Sequence, residues 1–243
     1  MIRILLFAAM LASVGCARRE EPLGSWIDTV TVVSILDDFK PGAHAGRVPF
    51  ADLLGYGRFG IGTEDGFDGE MMILDGRVYR FDASGQASVI DPTNTTPSAT
   101  VTFFEPDAKF DVSDLDDAVF RKTMDWKRPP GVRLVAFRVT GLFDVVKTRS
   151  VPSQSPPVHL LSEVATNTVE SEWRDTAGIM MGFYFPDALK DVTGPGYHLH
   201  FIDKDGKHGG HVLSFRLRQG RIEMDSCSGL YLMMSTNSVA AAL

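Results

Sequence analysis

Four of the chain's six histidines stand in one short stretch, Gly196-Tyr197-His198-Leu199-His200-Phe201-Ile202-Asp203-Lys204-Asp205-Gly206-Lys207-His208-Gly209-Gly210-His211. In a strand, successive side chains point to opposite faces, so His198 and His200 share one face while Tyr197, Leu199 and Phe201 occupy the other. If Asp205-Gly206 makes a two-residue turn, Lys204 faces Lys207 and, further down the ladder, His200 faces His211. Directly opposed residues point the same way with Cβ atoms roughly 5 Å apart. Three imidazoles then converge on one point, as a metal with nitrogen ligands at about 2 Å requires. Zinc is the default occupant of an all-imidazole site. Three protein ligands leave coordination positions open, which suits a catalytic rather than a closed structural site. Gly209 and Gly210 can also form a bulge, which would shift the pairing by one residue.

His208 falls on the opposite face near the hairpin tip and is excluded as a ligand. A lone histidine is ordinarily a hydrogen-bonded or exposed side chain, and that plain reading suits His44, His159 and His208. It does not suit three histidines brought to one face by a turn.

The elements that must position this hairpin are mostly strands. Glu70 to Leu74 and Arg77 to Phe81 flank Asp75-Gly76, a dipeptide suited to a type I′ turn because both residues tolerate positive φ. Thr29 to Leu36 and Ala99 to Phe104 read as strands, the second ended by Pro106, and Val48 to Leu54 as a short helix. One longer helix is predicted, capped by Ser113, with Asp114, Asp116 and Asp117 at its N-terminal dipole. Leu115, Val119 and Met124 form its apolar stripe, and it stops by Pro129. Strands return at Val132–Thr140, Phe143–Thr148, Ala177–Phe185, Tyr197–Asp203, Gly210–Leu217 and Ile222–Asp225. The pattern is that of a β-rich α+β protein. The Pro-rich stretch at 151–158 marks either a subdomain boundary or a long connection inside one domain.

With 243 residues, 44% hydrophobic and 23% charged, the chain can bury one large core or two small ones. A net charge of -7 argues against a nucleic-acid partner, which would need clustered Lys and Arg. A small-molecule substrate fits better. Residues 1–16 read as an export signal: Arg3 is the positive start, Ile4 to Val14 an apolar run too short to span a bilayer, and Ser13 and Gly15 precede Cys16. Cleavage before Cys16 would give a lipoprotein anchored through that cysteine, the chain's one expected tie to a membrane, with residues 17–25 as a tether. Cleavage after Ala17 would instead release a soluble secreted protein. Once Cys16 is lipidated or removed, only Cys227 remains, so no intramolecular disulfide can form.

Several segments together resemble the alpha-acetolactate decarboxylase family. They are Phe59-Gly60-Ile61-Gly62-Thr63, Phe67-Asp68-Gly69-Glu70, Ala99-Thr100-Val101-Thr102-Phe103-Phe104, Val146-Lys147-Thr148-Arg149-Ser150-Val151-Pro152 and the histidine hairpin from Pro195 to Val212. They occur in the family's order between about Val30 and Glu223. The resemblance implies a zinc carboxy-lyase converting 2-acetolactate to acetoin and carbon dioxide, within acetoin biosynthesis and the butanediol pathway. It implies a mixed β-sheet domain, a smaller β-rich, barrel-like portion, a zinc site between them and a homodimer. His198, His200 and His211 match the zinc ligands, Glu70 and Arg149 the active-site acid and guanidinium, and Thr63 a threonine lining the same site. In the implied mechanism zinc acts as a Lewis acid that stabilises the enediolate, with Arg149 and Glu70 in substrate binding and proton transfer. Taken alone, Glu70 would be a solvated charge, Arg149 a surface cation beside Lys147, and Thr63 an ordinary strand residue. One departure stands out. Family members carry a further acidic residue near the C-terminus that reaches the zinc pocket, whereas residues 226–243 contain no Asp or Glu.

Two other classes compete. A cupin-type metalloenzyme also uses a His-x-His pair and a later histidine, but adds a carboxylate a few residues after the pair; Asp203, the nearest candidate, is on the wrong face. A non-catalytic zinc-binding exported lipoprotein would have no need of both Glu70 and Arg149.

Overall fold

The computed structural model describes residues 26–33, 48–153 and 167–233. The expected signal and tether, the end of the first strand at Leu36, His44, His159, most of the Pro-rich stretch and the tail from Ser235 lie outside them. In chain order the strands are β1 (Thr29–Val33), β2 (Val48–Pro49), β3 (Phe59–Gly62), β4 (Glu70–Leu74), β5 (Arg77–Phe81), β6 (Ala87–Val89), β7 (Thr95–Thr96), β8 (Ala99–Thr102), β9 (Ala108–Asp116), β10 (Leu134–Ser150), β11 (Val169–Phe185), β12 (Gly196–Asp203), β13 (Gly209–Cys227) and β14 (Gly229–Met233). The helices are α1 (Phe50–Leu53) and α2 (Asp117–Lys127).

Seven strands form a mixed sheet in the order β14-β1-β8-β3-β4-β5-β6, with β1–β14 its parallel pair. The β4–β5 hairpin turns at Asp75 and Gly76, both at positive φ (52° and 82°), the type I′ geometry expected of that dipeptide. One face of the sheet buries Met71, Ile73, Val78 and Val101 against Phe50 and Leu53 of α1. The other face meets the second sheet.

That second sheet closes on itself. β10 pairs with β11, β11 with β12, β12 with β13, and β13 returns to β10, while β9 flanks β13. Alternation sends Phe137, Val139, Phe143, Leu199, Phe201 and Phe215 inward, where Phe120 and Met124 of α2 complete the filling. The alternate residues Ala136, Met181, Phe183 and Ile202 point outward and pack on Phe59, Ile61, Met72 and Phe81 of the seven-stranded sheet. The α+β, β-rich architecture with a barrel-like second part is therefore as expected.

Several local readings differ: the expected strand from Ala177 begins at Val169, and the expected helix from Val48 to Leu54 is a two-residue strand followed by a four-residue helix. The expected strand pairs on either side of Gly141 and of Gly220 are single strands, β10 and β13, of 17 and 19 residues. Gly141 pairs with both Gly178 and Gly220, and a Cβ there would lie 2.4 Å from the Gln219 carbonyl oxygen. These glycines allow three backbones to approach closely rather than ending the strands. Next, α2 begins at Asp117 and is capped by Asp116, whose carboxylate accepts from Val119 N–H at 2.8 Å. Ser113 and Leu115 instead pair with Gln219 and Leu217 in the β9–β13 ladder, so sheet pairing overrides local helix propensity. Finally, β14, which the sequence left unassigned, joins the first sheet parallel to β1, fixed where the Asp28 carbonyl accepts from Ser228 and Gly229.

Candidate functional site

β12 and β13 place the histidines as the alternation argument requires. His200 pairs with His211, Phe201 with Gly210 and Ile202 with Gly209, so no bulge shifts the register. The turn differs from the expected two-residue form. Gly206 N–H donates to the Asp203 carbonyl at 3.0 Å, Asp203 N–H donates to the His208 carbonyl at 2.8 Å, and Gly206 but not Asp205 has positive φ. The loop is wider by one residue on each side, which leaves the same partners opposed.

Because β12 sends its odd-numbered side chains into the barrel, His198 and His200 face the first sheet. The ligating nitrogens of His198, His200 and His211 all lie within 4.8 Å of one another. Nε2 of His198 and Nδ1 of His211 are 3.1 Å apart, one donating and the other accepting. Fully buried His200 is fixed from the opposite sheet, its Nδ1 2.9 Å from the Met71 carbonyl oxygen. A carbonyl only accepts, so Nδ1 carries the proton and Nε2 presents a lone pair. That Nε2 is buried with no hydrogen-bond partner, 3.4 Å from Oε2 of Glu70. An orphaned buried nitrogen in a cluster of imidazoles is the feature a bound cation would satisfy.

Electrostatics point the same way. Burial and the Arg149 guanidinium hold His198 down to about 4. Burial first, then the neighbouring imidazoles and Arg149, hold His200 and His211 well below the usual histidine range. All three rings are neutral at physiological pH, the form in which imidazole ligates metal. Zinc, borderline-soft and suited to nitrogen donors, fits this set.

Glu70 opens β4 beside His200. Burial, opposed by Arg149, raises its carboxyl to about 7. Arg149, near the end of β10, pairs across the ladder with His211 and on its other side with Glu170. The structure thus brings Glu70, Arg149 and the three histidines together from β4, β10, β12 and β13. Thr63 lies one layer back: its hydroxyl donates to the Gly69 carbonyl at 2.7 Å, and its own carbonyl accepts from Thr96 Oγ1 at 2.6 Å. It braces the loop that delivers Glu70.

Sequence reasoning missed the rest of that brace. Arg80 bonds Asp68 at 2.5 Å and lies 3.5 Å from Glu64, which accepts from Asn94 at 2.5 Å. Nothing in the local pattern announces these contacts, since they join residues on different strands and turns. It also missed the Met71 carbonyl, a backbone group with no residue-type signal. Cys227 is buried, its thiol pushed up to about 12 by burial, and it takes no part. Asp203, the carboxylate a cupin-type site would need, is instead bonded to His208 and Lys207 at the hairpin tip. No described helix is long and apolar enough to cross a membrane.

The sequence profile of the alpha-acetolactate decarboxylase family matches residues 30–239. The chain is 38% identical over 212 residues to an alpha-acetolactate decarboxylase of Methanosarcina mazei, covering 85% of this chain and 72% of that one. It is 36% identical over 208 residues to that of Methylococcus capsulatus, covering 85% and 80%. The crystal structure of alpha-acetolactate decarboxylase from Bacillus subtilis strain 168 superposes with a TM-score of 0.83 at 28% identity, over 86% of this chain and 90% of that chain.

Proposed function

The chain belongs to the alpha-acetolactate decarboxylase family and is a carboxy-lyase, and from that premise we propose that it converts 2-acetolactate to acetoin and carbon dioxide at a zinc ion held by His198, His200 and His211. The observation that carries the reading is the trio of converging imidazoles, one with a buried unpartnered Nε2, beside a largely buried acid and a guanidinium.

Bound zinc would supply Lewis acidity, stabilising the negative charge left on the substrate as carbon dioxide departs. The remaining work falls to the chain. Arg149 is the fixed cation near the three rings, placed to orient the substrate carboxylate and to favour negative charge developing beside it. Loss of carbon dioxide leaves an electron pair on carbon, and forming acetoin consumes one proton at that carbon. Glu70, its carboxyl raised to about 7, holds a proton at neutral pH far more often than an ordinary glutamate and is the group from which we route it. The network of Thr63, Asp68, Glu64 and Arg80 holds the loop that aims this carboxyl. The wall of Ile202, Met181, Met72 and Phe81 between the sheets keeps the rear of the site dry, which strengthens each of these interactions.

We place the enzyme outside the cytoplasm, anchored through Cys16, on the strength of the apolar run and small residues before that cysteine. A colorimetric acetoin assay on purified protein, paired with metal analysis, tests the main reading. About one zinc per chain with acetoin formed from acetolactate is the expected result; metal-loaded protein that forms none from either enantiomer would sink it.

A further inference from the structure

The tip of the histidine hairpin carries a cluster that the chemistry above does not use. Asp203, the last residue of β12, accepts two hydrogen bonds on its carboxylate. Lys207 backbone N–H donates to Oδ1 at 2.8 Å, and His208 Nδ1 lies 2.8 Å from Oδ2. The carboxylate is only 14% exposed although it sits at a turn. The His208 ring lies against the indole of Trp173 in β11, with centroids 4.6 Å apart and planes inclined by 31°. Trp173 in turn donates its Nε1–H to the hydroxyl of Thr148 in β10 at 3.0 Å. The tip is also tied to the first sheet, where Ala87 N–H meets the Lys207 carbonyl at 2.7 Å and Gly209 N–H the Gly85 carbonyl at 2.9 Å.

This cluster sits where the ladder is weakest. β12 and β13 share only three residue pairs, His200–His211, Phe201–Gly210 and Ile202–Gly209, and on its other side β13 keeps only the pairs His211–Arg149 and Val212–Thr148 with β10 on the tip side of a register shift. So short a ladder is marginal unaided, and a slip by one residue would turn His211 to the other face. The two residues between His208 and His211 are glycines with no side chain to anchor. None would fit: a Cβ on Gly209 would lie 2.0 Å from the Phe201 carbonyl oxygen and 2.5 Å from the Phe81 ring. β10 holds the far flank of this segment through the Arg149–His211 and Thr148–Val212 pairs, and on the tip side of His211 the first side chain able to anchor the strand is His208.

We propose that Asp203 and His208 are positioning residues for the metal centre: their carboxylate–imidazole pair, stacked on Trp173, locks the hairpin tip and so holds His211 against His198 and His200. The inference rests on the three histidines being metal ligands. It gives His208, which the strand alternation excludes as a ligand, a role in metal binding without contact to the metal.

The test is the Zn2+ dissociation constant of metal-stripped full-length protein, measured by chelator competition, together with the melting temperature of the stripped form. His208→Ala and Asp203→Asn are each expected to weaken Zn2+ binding about tenfold, the lower end of what loss of a supporting partner costs a metal site. Asparagine keeps an acceptor for the Lys207 N–H but puts an amide NH2 where Oδ2 faces His208, so the carboxylate–imidazole pair is lost and a bond to His208 survives only with the ring's tautomer reversed. His208→Gln keeps a donor toward Asp203 and is expected to stay within about threefold of wild type. The stripped proteins should melt within about 2 °C of one another, a difference too small for a general loss of folding. At saturating Zn2+ turnover should return to near the wild-type rate, because the bound ion then fixes His211 itself. Wild-type affinity in both His208→Ala and Asp203→Asn would overturn the inference. So would an affinity loss that only tracks a fall in the melting temperature of every variant, His208→Gln included. A wild-type protein that binds no Zn2+ would instead overturn the metal reading, and this inference with it.

Discussion

His200 on the second sheet and the carbonyl oxygen of Met71 on the first are joined by a 2.9 Å hydrogen bond that links residues 129 apart in the chain. The bond fixes the tautomer, since Nδ1 must donate, and so turns the Nε2 lone pair toward His198, His211 and Glu70. It also ties the centre to the packing between the sheets: Met71 lies in β4 between Glu70 and Met72, and Met72 belongs to the apolar layer joining the two sheets. The geometry of the centre therefore depends on both sheets staying docked.

Replacing His200 removes one of the three proposed ligands and leaves a fully buried gap. We expect His200→Ala to retain less than about a tenth of the zinc of wild type after dialysis and to lose acetoin formation, because a three-ligand site seldom survives on two imidazoles. Metal analysis of the dialysed protein checks this. Full zinc content would mean that the three rings are not the ligands.

Arg149→Lys keeps a charge but not the planar fork. Zinc content should stay at wild-type level while kcat falls on the order of 100-fold, the usual scale for losing a preorganised electrostatic group. Near-wild-type turnover would remove Arg149 from the reaction.

Glu70→Gln is nearly isosteric and deletes the proton. We expect turnover to fall by about 10²- to 10⁴-fold, the range for a single general acid. Zinc should be retained, since the three imidazoles do not depend on Glu70 for their fold. Product chirality is a second readout: if Glu70 delivers the proton to one face, residual acetoin should lose enantiomeric purity. Unchanged rate and chirality together would move proton delivery elsewhere.

The legible part of this protein was the hairpin. His-x-His alternation and a turn near Asp205-Gly206 sufficed to oppose His200 and His211, and the register held although the turn is wider, because it widens by one residue on each side. Glu70, Arg149 and Thr63 carried no such signal. Their types are ordinary, their neighbours come from distant strands, and family resemblance rather than local pattern singled them out. Backbone partners such as the Met71 carbonyl leave no trace in residue types at all. In the fold, Gly141 and Gly220 read as breaks because local rules treat glycine as punctuation, whereas here close strand approach requires it. Ser113 and Leu115 read as part of a helix because the partner strand that claims them lies about a hundred residues on.

The last prediction concerns stability rather than turnover. Asp225 in β13 is wholly buried at the junction where β8 leaves the first sheet for β9. Its Oδ2 accepts from Glu105 N–H at 3.0 Å, while Oδ1 has no partner. Burial, reinforced by the nearby charges of Asp107, Asp28 and Glu105, raises its carboxyl from 3.8 to about 7. The folded state then holds a proton that the unfolded chain releases between about pH 4 and 7, so this residue's contribution to stability falls as pH rises through that window and is level above it. At about 1.4 kcal/mol for each tenfold change in proton affinity, the loss by pH 8 is at most a few kcal/mol. Asp225→Asn keeps an acceptor for Glu105 N–H and removes the ionisation. Wild type and variant should therefore melt within about 2 °C of each other near pH 4.5, with the variant higher by roughly 5 °C at pH 8 for a domain of this size. Calorimetric or fluorescence melts at the two pH values decide it. The same difference at both pH values would show that Asp225 stays ionised in the fold.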